Sequence, residues 1–124
     1  MTTEVLTLPL PSPVLSPNAR PNRFARTAVV KSHRTQARRE AYAMKNGWDF
    51  PAGFVVLTIQ FVAYWKTKRF KKDDMNLTGS CKAYEDGLQD AIRQDDSTWQ
   101  HEKPRHLYDK DNPRLEIHIN IEVL

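Results

Sequence analysis

The chain has a single cysteine, Cys81, which excludes an intramolecular disulfide and a zinc site built on cysteines. A cytoplasmic origin is therefore the default expectation. No apolar run approaches the roughly 18 residues that a membrane-spanning helix requires. The longest such run, Phe54 to Trp65, is broken by Thr58 and Gln60. The opening residues lack the basic-then-apolar layout of a signal peptide, so none is expected. Internal repeats and low-complexity stretches are absent too. With 124 residues there is room for one domain, 1–124, and one modest core. Hydrophobic residues at 40% and charged residues at 27% fit an ordinary globular chain, and exclude a disordered one.

What is present is an excess of positive charge: 19 Lys and Arg against 15 Asp and Glu, a net +4, which is a mild sign of a polyanionic partner. The distribution says more than the sum. Basic residues crowd Arg20 to Arg39 and again Lys66 to Lys72, and acidic residues crowd Asp73 to Asp96. A basic surface beside an acidic pocket suits a nuclease, which needs cations to hold phosphates and carboxylates to hold metal.

Hydrophobic periodicity predicts a strand over Val5 to Leu10 and, because of Pro9, Pro11, Pro13, Pro17 and Pro21, an extended loop over 11–21. A helix follows from about Asn22 to Asn46, closed by Gly47. Val30, Ala37, Ala41 and Met44 form its core side, and Lys31, Arg34, Arg38 and Lys45 its basic side. Phe54 to Trp65 reads as a central strand and Lys66 to Lys72 as the loop leaving it. Asn76 to Ile92 returns to helical spacing, with Leu77, Cys81, Tyr84, Leu88 and Ile92 in one stripe and Lys82, Asp86, Gln89 and Arg93 opposite. Within Thr98 to Tyr108 an edge strand is expected in part, since Pro104 interrupts it. Leu115, Ile117, Ile119, Ile121 and Val123 alternate with polar residues as in a half-buried strand. The fold class expected is α/β in the α+β sense: a small single domain with a mixed sheet packed against two main helices, its strand order left open.

Three stretches carry a family resemblance. The first is Leu8-Pro9-Leu10-Pro11-Ser12-Pro13-Val14-Leu15-Ser16-Pro17-Asn18-Ala19-Arg20. The second is Asp73-Asp74-Met75-Asn76, followed by Lys82 and by Asp86-Gly87-Leu88; the third is Asp95-Asp96. In content, order and spacing they resemble the RusA family of Holliday junction resolvases, with a closing strand at the end as in that family. The resemblance implies a homodimeric, magnesium-dependent endodeoxyribonuclease, with Mn2+ as an alternative ion, that cuts four-way DNA junctions in recombination, repair or phage replication. It makes Asp73, Asp96 and Lys82 catalytic and gathers Asp73, Asp74, Asp95 and Asp96 as metal ligands, with Asn76 and Asp86 supporting. DNA contacts are expected from Arg20, Arg23, Lys31, Arg34 and Arg38, and more strongly from Lys66, Lys68, Arg69, Lys71 and Lys72.

This chain departs from the pattern at Met75, where the family has an aspartate; a thioether is a poor ligand for a hard cation, and Asp74 is one residue early. That departure leaves an alternative: a catalytically weakened or inactive junction-binding member of the same family. A basic structural protein of a phage particle is a third class. Individual residues have plainer readings as well. Asp73, Asp74 and Asn76 can cap a helix, and Asp86 can be an i,i+4 partner of Lys82. Trp65 and Phe70 can stack on DNA or anchor in the core, Cys81 is expected in the core, and His33, His101, His106 and His118 are given no metal role. Aspartates before and after a helix of about 16 residues stand roughly 24 Å apart unless the following loop folds back.

Overall fold

The alternation of Leu6 and Leu8 with polar neighbours builds the first strand, β1 (Thr2–Leu8), in a computed structural model that describes residues 2–17, 19–44, 55–68, 74–93 and 98–123. The strand begins earlier than the pattern predicts and stops at Leu8, because Pro9 and Pro11 have no N–H to continue a ladder. Strand β5 (Arg114–Val123) lies antiparallel to β1 on one edge and to β2 (Val55–Trp65) on the other. The registers Leu8↔Leu115, Leu6↔Ile117 and Ile59↔Ile119 put one set of alternating side chains on a single face. Those residues are buried, and each such aliphatic side chain contributes about 1.5–3 kcal/mol.

The other edge of β2 is shared by two short parallel strands, β3 (Gln100–His101) and β4 (Arg105–Tyr108). The edge strand expected within 98–108 is thus split, with Pro104 in the gap. The Glu102 N–H donates to the Ile59 carbonyl at 2.9 Å and the Asp109 N–H to that of Trp65 at 2.9 Å, which keeps the connection against β2. The sheet is five-stranded and mixed, in the order β1-β5-β2-β3 with β4 also on β2, so the domain is α+β as expected.

Helix α1 (Arg23–Met44) starts where Asn22 Oδ1 accepts from the Ala25 N–H at 2.8 Å. Ala37 and Ala41 are its buried residues, whereas Met44, expected in the core, is 37% exposed because the packed stripe ends one turn earlier. The single helix expected over 76–92 is two: α2 (Asp74–Ser80) and α3 (Lys82–Ile92), broken at Cys81. The Ser80 hydroxyl donates to the Asn76 carbonyl at 2.8 Å, a competing bond of the kind that bends helices, and the Cys81 N–H is shared between the Leu77 and Thr78 carbonyls. Asn76 therefore sits inside the first turn of α2 and not at its cap. The predicted stripe survives the break, since Leu77, Cys81, Tyr84, Leu88 and Ile92 are all buried. Among the described residues no helix is long and apolar enough to cross a membrane.

Two contacts set how α1 lies on α3. Gly87 meets the α1 backbone so closely that a Cβ there would stand 2.1 Å from the Arg34 carbonyl oxygen. Beside it Arg34 donates to both Asp90 oxygens, at 2.7 and 2.8 Å, and holds that carboxyl below its usual range. The proline-rich segment is more ordered than a loop. Pro13–Leu15 forms a 3-10 turn capped by the Ser12 hydroxyl, with Pro13 at its start and Leu15 buried.

That segment is pinned by His33 and Tyr84. The Ser12 N–H donates to His33 Nε2 at 3.1 Å, the imidazole stacks on the Tyr84 ring at 4.5 Å between centroids, and the Tyr84 hydroxyl donates to the Pro9 carbonyl at 2.9 Å. Burial pushes the His33 pKa down, offset in part by the Val29 carbonyl one turn earlier, so the ring is neutral and Nε2 is free to accept.

Two measurements check this packing. Gly87→Ala inserts a methyl against main-chain atoms, and is expected to lose about 3 kcal/mol in urea unfolding, the upper end of overpacking costs; an unchanged midpoint would mean the helices do not approach this closely. His33 gives a pH signature. The unfolded chain takes up its proton near the ordinary value of 6.5 and the folded chain only at lower pH, so stability falls as pH drops below about 6.5. His33→Phe keeps a ring on Tyr84 but cannot titrate, and is expected to lose that part of the slope. The carboxyls held low, Asp90, Asp109 and Glu116, act only below their ordinary values of 3.8 to 4.5, outside this window.

Candidate nucleic-acid interface

The parallel register of β2 and β4 pairs Ala63 with His106 and Trp65 with Tyr108, so both strands finish together. In sheets with parallel strands this carboxyl end is where ligands are usually received. Three side chains from three elements meet there. The Trp65 indole N–H donates to His106 Nδ1 at 3.1 Å, and His106 Nε2 lies 2.9 Å from Asp74 Oδ1. An indole can only donate, so Nδ1 accepts, the imidazole proton is on Nε2, and His106 donates to the carboxylate. The imidazole is 15% exposed and the Asp74 side chain 37%, so one end of this chain of hydrogen bonds is mostly covered and the other is open to a ligand. With Oδ1 fixed by an N–H, the second oxygen of Asp74 has a set direction, which is what outer partners do for ligands at metal sites.

Asp74 lines an open hollow of about 250 Å³ with Met75 and Thr78, and the Met75 side chain is 83% exposed beside it. A second hollow, of about 420 Å³, is lined by Lys66, Thr67, Lys68, Tyr108 and Lys110. It is basic because its acidic neighbour is spent elsewhere. Asp109 accepts from Arg114 at 2.8 Å and from the Asp111 and Asn112 N–H groups, which lower its pKa. Trp65 packs against the core and stacks near His106, with ring centroids 6.0 Å apart, so of its two sequence-based readings the anchoring one holds.

The expected site residues separate into groups. Asp73, Asp95, Asp96, Arg69, Lys71 and Lys72 lie outside the described residues, as does Phe70. Lys82 Nζ is 3.1 Å from Asp86 and 3.8 Å from Glu85, so Asp86 is the partner that its i,i+4 spacing predicts. Arg20, Arg23, Lys31 and Arg38 are exposed on or before α1, whereas Arg34 is engaged by Asp90 and so carries a structural load. The segment holding Asp95 and Asp96 leads into β3, whose Gln100 is paired with Thr58. That is seven residues of strand, about 23 Å, from Trp65, the end where Asp74 sits. Among the described residues no three His, Cys, Asp or Glu side chains are gathered as metal ligands would be.

Sequence reasoning missed His106 and Tyr108, whose positions depend on pairing β4 with β2 some forty residues earlier. It also missed Glu85, which is 8% exposed and hydrogen-bonded to His101 at 2.5 Å. A polar residue at i+3 from Lys82 reads equally well as surface. The hydrogen-bond chain is tested by His106→Leu, which removes the acceptor of a partly buried indole N–H and is expected to destabilise by about 1 kcal/mol. Faster exchange of the Trp65 indole proton should accompany the loss; a proton exchanging at the parental rate would show that His106 is not its acceptor.

No known protein family matches the chain. An uncharacterized protein of Xylella fastidiosa strain Temecula1 is 37% identical over 92 residues, which are 73% of this chain and 59% of that protein. The chain thus spans about three fifths of the length of the relative it matches.

Proposed function

We propose that this protein is a structure-selective endodeoxyribonuclease of the RusA type, acting on four-way DNA junctions as a homodimer in the cytoplasm. The observation that supports it best is the carboxyl end of β2 and β4. There a carboxylate oriented by a histidine, Asp74, adjoins in sequence a second one, Asp73, and Lys66, Lys68 and Lys110 line a basic hollow at the same end. Lysines that hold a phosphodiester would bring it to oxygen donors suited to a hard cation. Those donors are Asp73 and Asp74, to which the family resemblance joins Asp95 and Asp96, and the chemistry magnesium would supply is a lowered pKa for an attacking water. The two-fold symmetry of a junction matches a dimer that presents two such sites.

A second reading is favoured by Met75, whose exposed thioether stands where the family has an aspartate: a protein that binds junctions and cuts them weakly or not at all. One assay separates the readings. A synthetic four-way junction is incubated with magnesium and without, using the parent, Asp73→Asn, Asp74→Asn, Asp96→Asn and Met75→Asp. The nuclease reading expects parental cleavage only with magnesium, and a loss of a hundredfold or more in any variant that removes a working ligand, with binding retained. Cleavage appearing only in Met75→Asp would favour the binding protein, and neither cleavage nor salt-sensitive junction binding by the parent would overturn both. Because Asp96 precedes a strand tied to the middle of β2, the Asp96→Asn arm also decides whether one chain supplies the whole ligand set.

A further inference from the structure

The hollow lined by Lys66, Thr67, Lys68, Tyr108 and Lys110 has a composition that phosphate binding alone does not require. Its volume of about 420 Å³ falls within the range of about 300–1,000 Å³ typical of small-ligand clefts. Three of its five residues are lysines and one is a tyrosine that is 44% exposed, a large ring left open at the end of a short edge strand. The Lys68 ammonium stands over the face of that ring, 5.2 Å from its centroid. The ring therefore faces the lysines, and its electron-rich surface forms one side of the basic hollow. Trp65, at the same end of the neighbouring strand, is partly buried and turned to His106, so that among the described residues there Tyr108 presents the more open aromatic surface.

A ring flanked by cations matches one recurrent chemical unit, a planar base joined to a phosphate. We propose that this hollow is a subsite for a single unstacked nucleotide of a DNA strand, with the base against Tyr108 and the adjacent phosphates among Lys66, Lys68 and Lys110. This rests on the nucleic-acid reading of the same end of the sheet, and adds to it that the strand is held opened, not as intact duplex. Base stacking on an aromatic side chain is worth about tenfold or more in affinity per base, whereas an exposed cation over a tyrosine is worth only about two- to fivefold. An arriving base thus displaces the Lys68 ammonium, whose flexible stem lets it turn to the phosphate. Thr67 and the three lysines can hydrogen-bond phosphate oxygens, but none of these groups reads a base edge in a fixed geometry. The subsite is selective for an unpaired base and indifferent to which base it is.

The test measures binding of a fluorescently labelled ten-nucleotide oligothymidylate, without magnesium, by the full chain and by Tyr108→Phe, Tyr108→Ala and Tyr108→Thr. The last substitution suits a strand and guards against misfolding of the alanine variant. Tyr108→Phe is expected to bind like the parent, and both ringless variants about tenfold more weakly. An abasic strand of the same length is expected to bind parent and ringless variants alike, and Lys66→Ala to flatten the salt dependence. Equal affinity of parent and ringless variants for oligothymidylate would overturn the proposal, as would an abasic strand bound as tightly as the oligothymidylate. Competition with thymidine monophosphate separates the two sources of such a unit. Displacement only at far higher concentration supports a strand, and a mononucleotide bound as tightly as the oligomer overturns it in favour of a free nucleotide. Failure of this subsite leaves magnesium-dependent junction cleavage untouched, and a parent that cuts nothing yet loses oligothymidylate affinity with Tyr108 would sink the nuclease alone.

Discussion

A strand in the interior of a sheet has hydrogen-bonding groups on two edges, and burial requires that both be met. In β2 one edge is met by β5 along nearly its whole length, Val55↔Val123 to Tyr64↔Arg114, and the other by β3 and β4 in two short pieces. The candidate interface depends on the second edge. Only because β4 runs parallel to β2 do Trp65 and Tyr108 finish side by side, and only then can His106 reach from Trp65 to Asp74. Parallel pairing in turn requires a crossover between the strands. Here α2 and α3 supply it, and the first residue of α2 is the carboxylate that His106 holds.

The helical layer meets a second constraint, the closeness of α1 to α3 at Gly87. Two helix backbones approach like this only where a side chain is missing, and the small Ala37 lies on the other side of the same contact. The ion pair of Arg34 with Asp90 is exposed enough to be worth little by itself, but it is bidentate and fixes the rotation of α1 about that contact. The cost falls on the basic face of the helix. A guanidinium committed to Asp90 is not available to a phosphate, so the positive potential of α1 rests on Arg23, Arg26, Lys31, Arg38 and Arg39, all exposed.

Charge at the carboxyl end of the sheet is arranged by withdrawal as much as by placement. Asp109 stands between Tyr108 and Lys110 in the chain, yet its carboxylate is bound to Arg114 and to two main-chain N–H groups. Arg114 in turn lies 3.8 Å above the Tyr64 ring and donates to Glu116 as well, so one guanidinium neutralises both Asp109 and Glu116. The lysines keep their potential in part because Asp109, next to Lys110 in the chain, is bound by another cation. Similar reasoning covers Trp65 and Tyr108: the larger ring is half-buried against the core and holds a histidine in one tautomer, and the smaller one, with a hydroxyl that tolerates water, is left outside.

The sequence by itself determined the elements and their inward faces. Alternation fixed the buried residues of β5 and of the end of β1, and spacing of three and four fixed the stripe from Leu77 to Ile92, because burial of one face is a local property of a repeating pattern. It also fixed the Lys82–Asp86 pair, whose partners are one helical turn apart. Composition pointed to the two basic stretches and to the acidic one that follows them. Tertiary structure decided everything that depends on contacts between distant segments. It ended β1 at Pro9, placed Ser80 to break a helix that periodicity runs straight through, and turned Met44 out. It took Arg34 from the basic face, and gave His33, Glu85 and His106 partners 21, 16 and 32 residues away. Such pairings follow from strand order and helix approach, which are set by packing over the whole domain and leave no periodic trace in the chain.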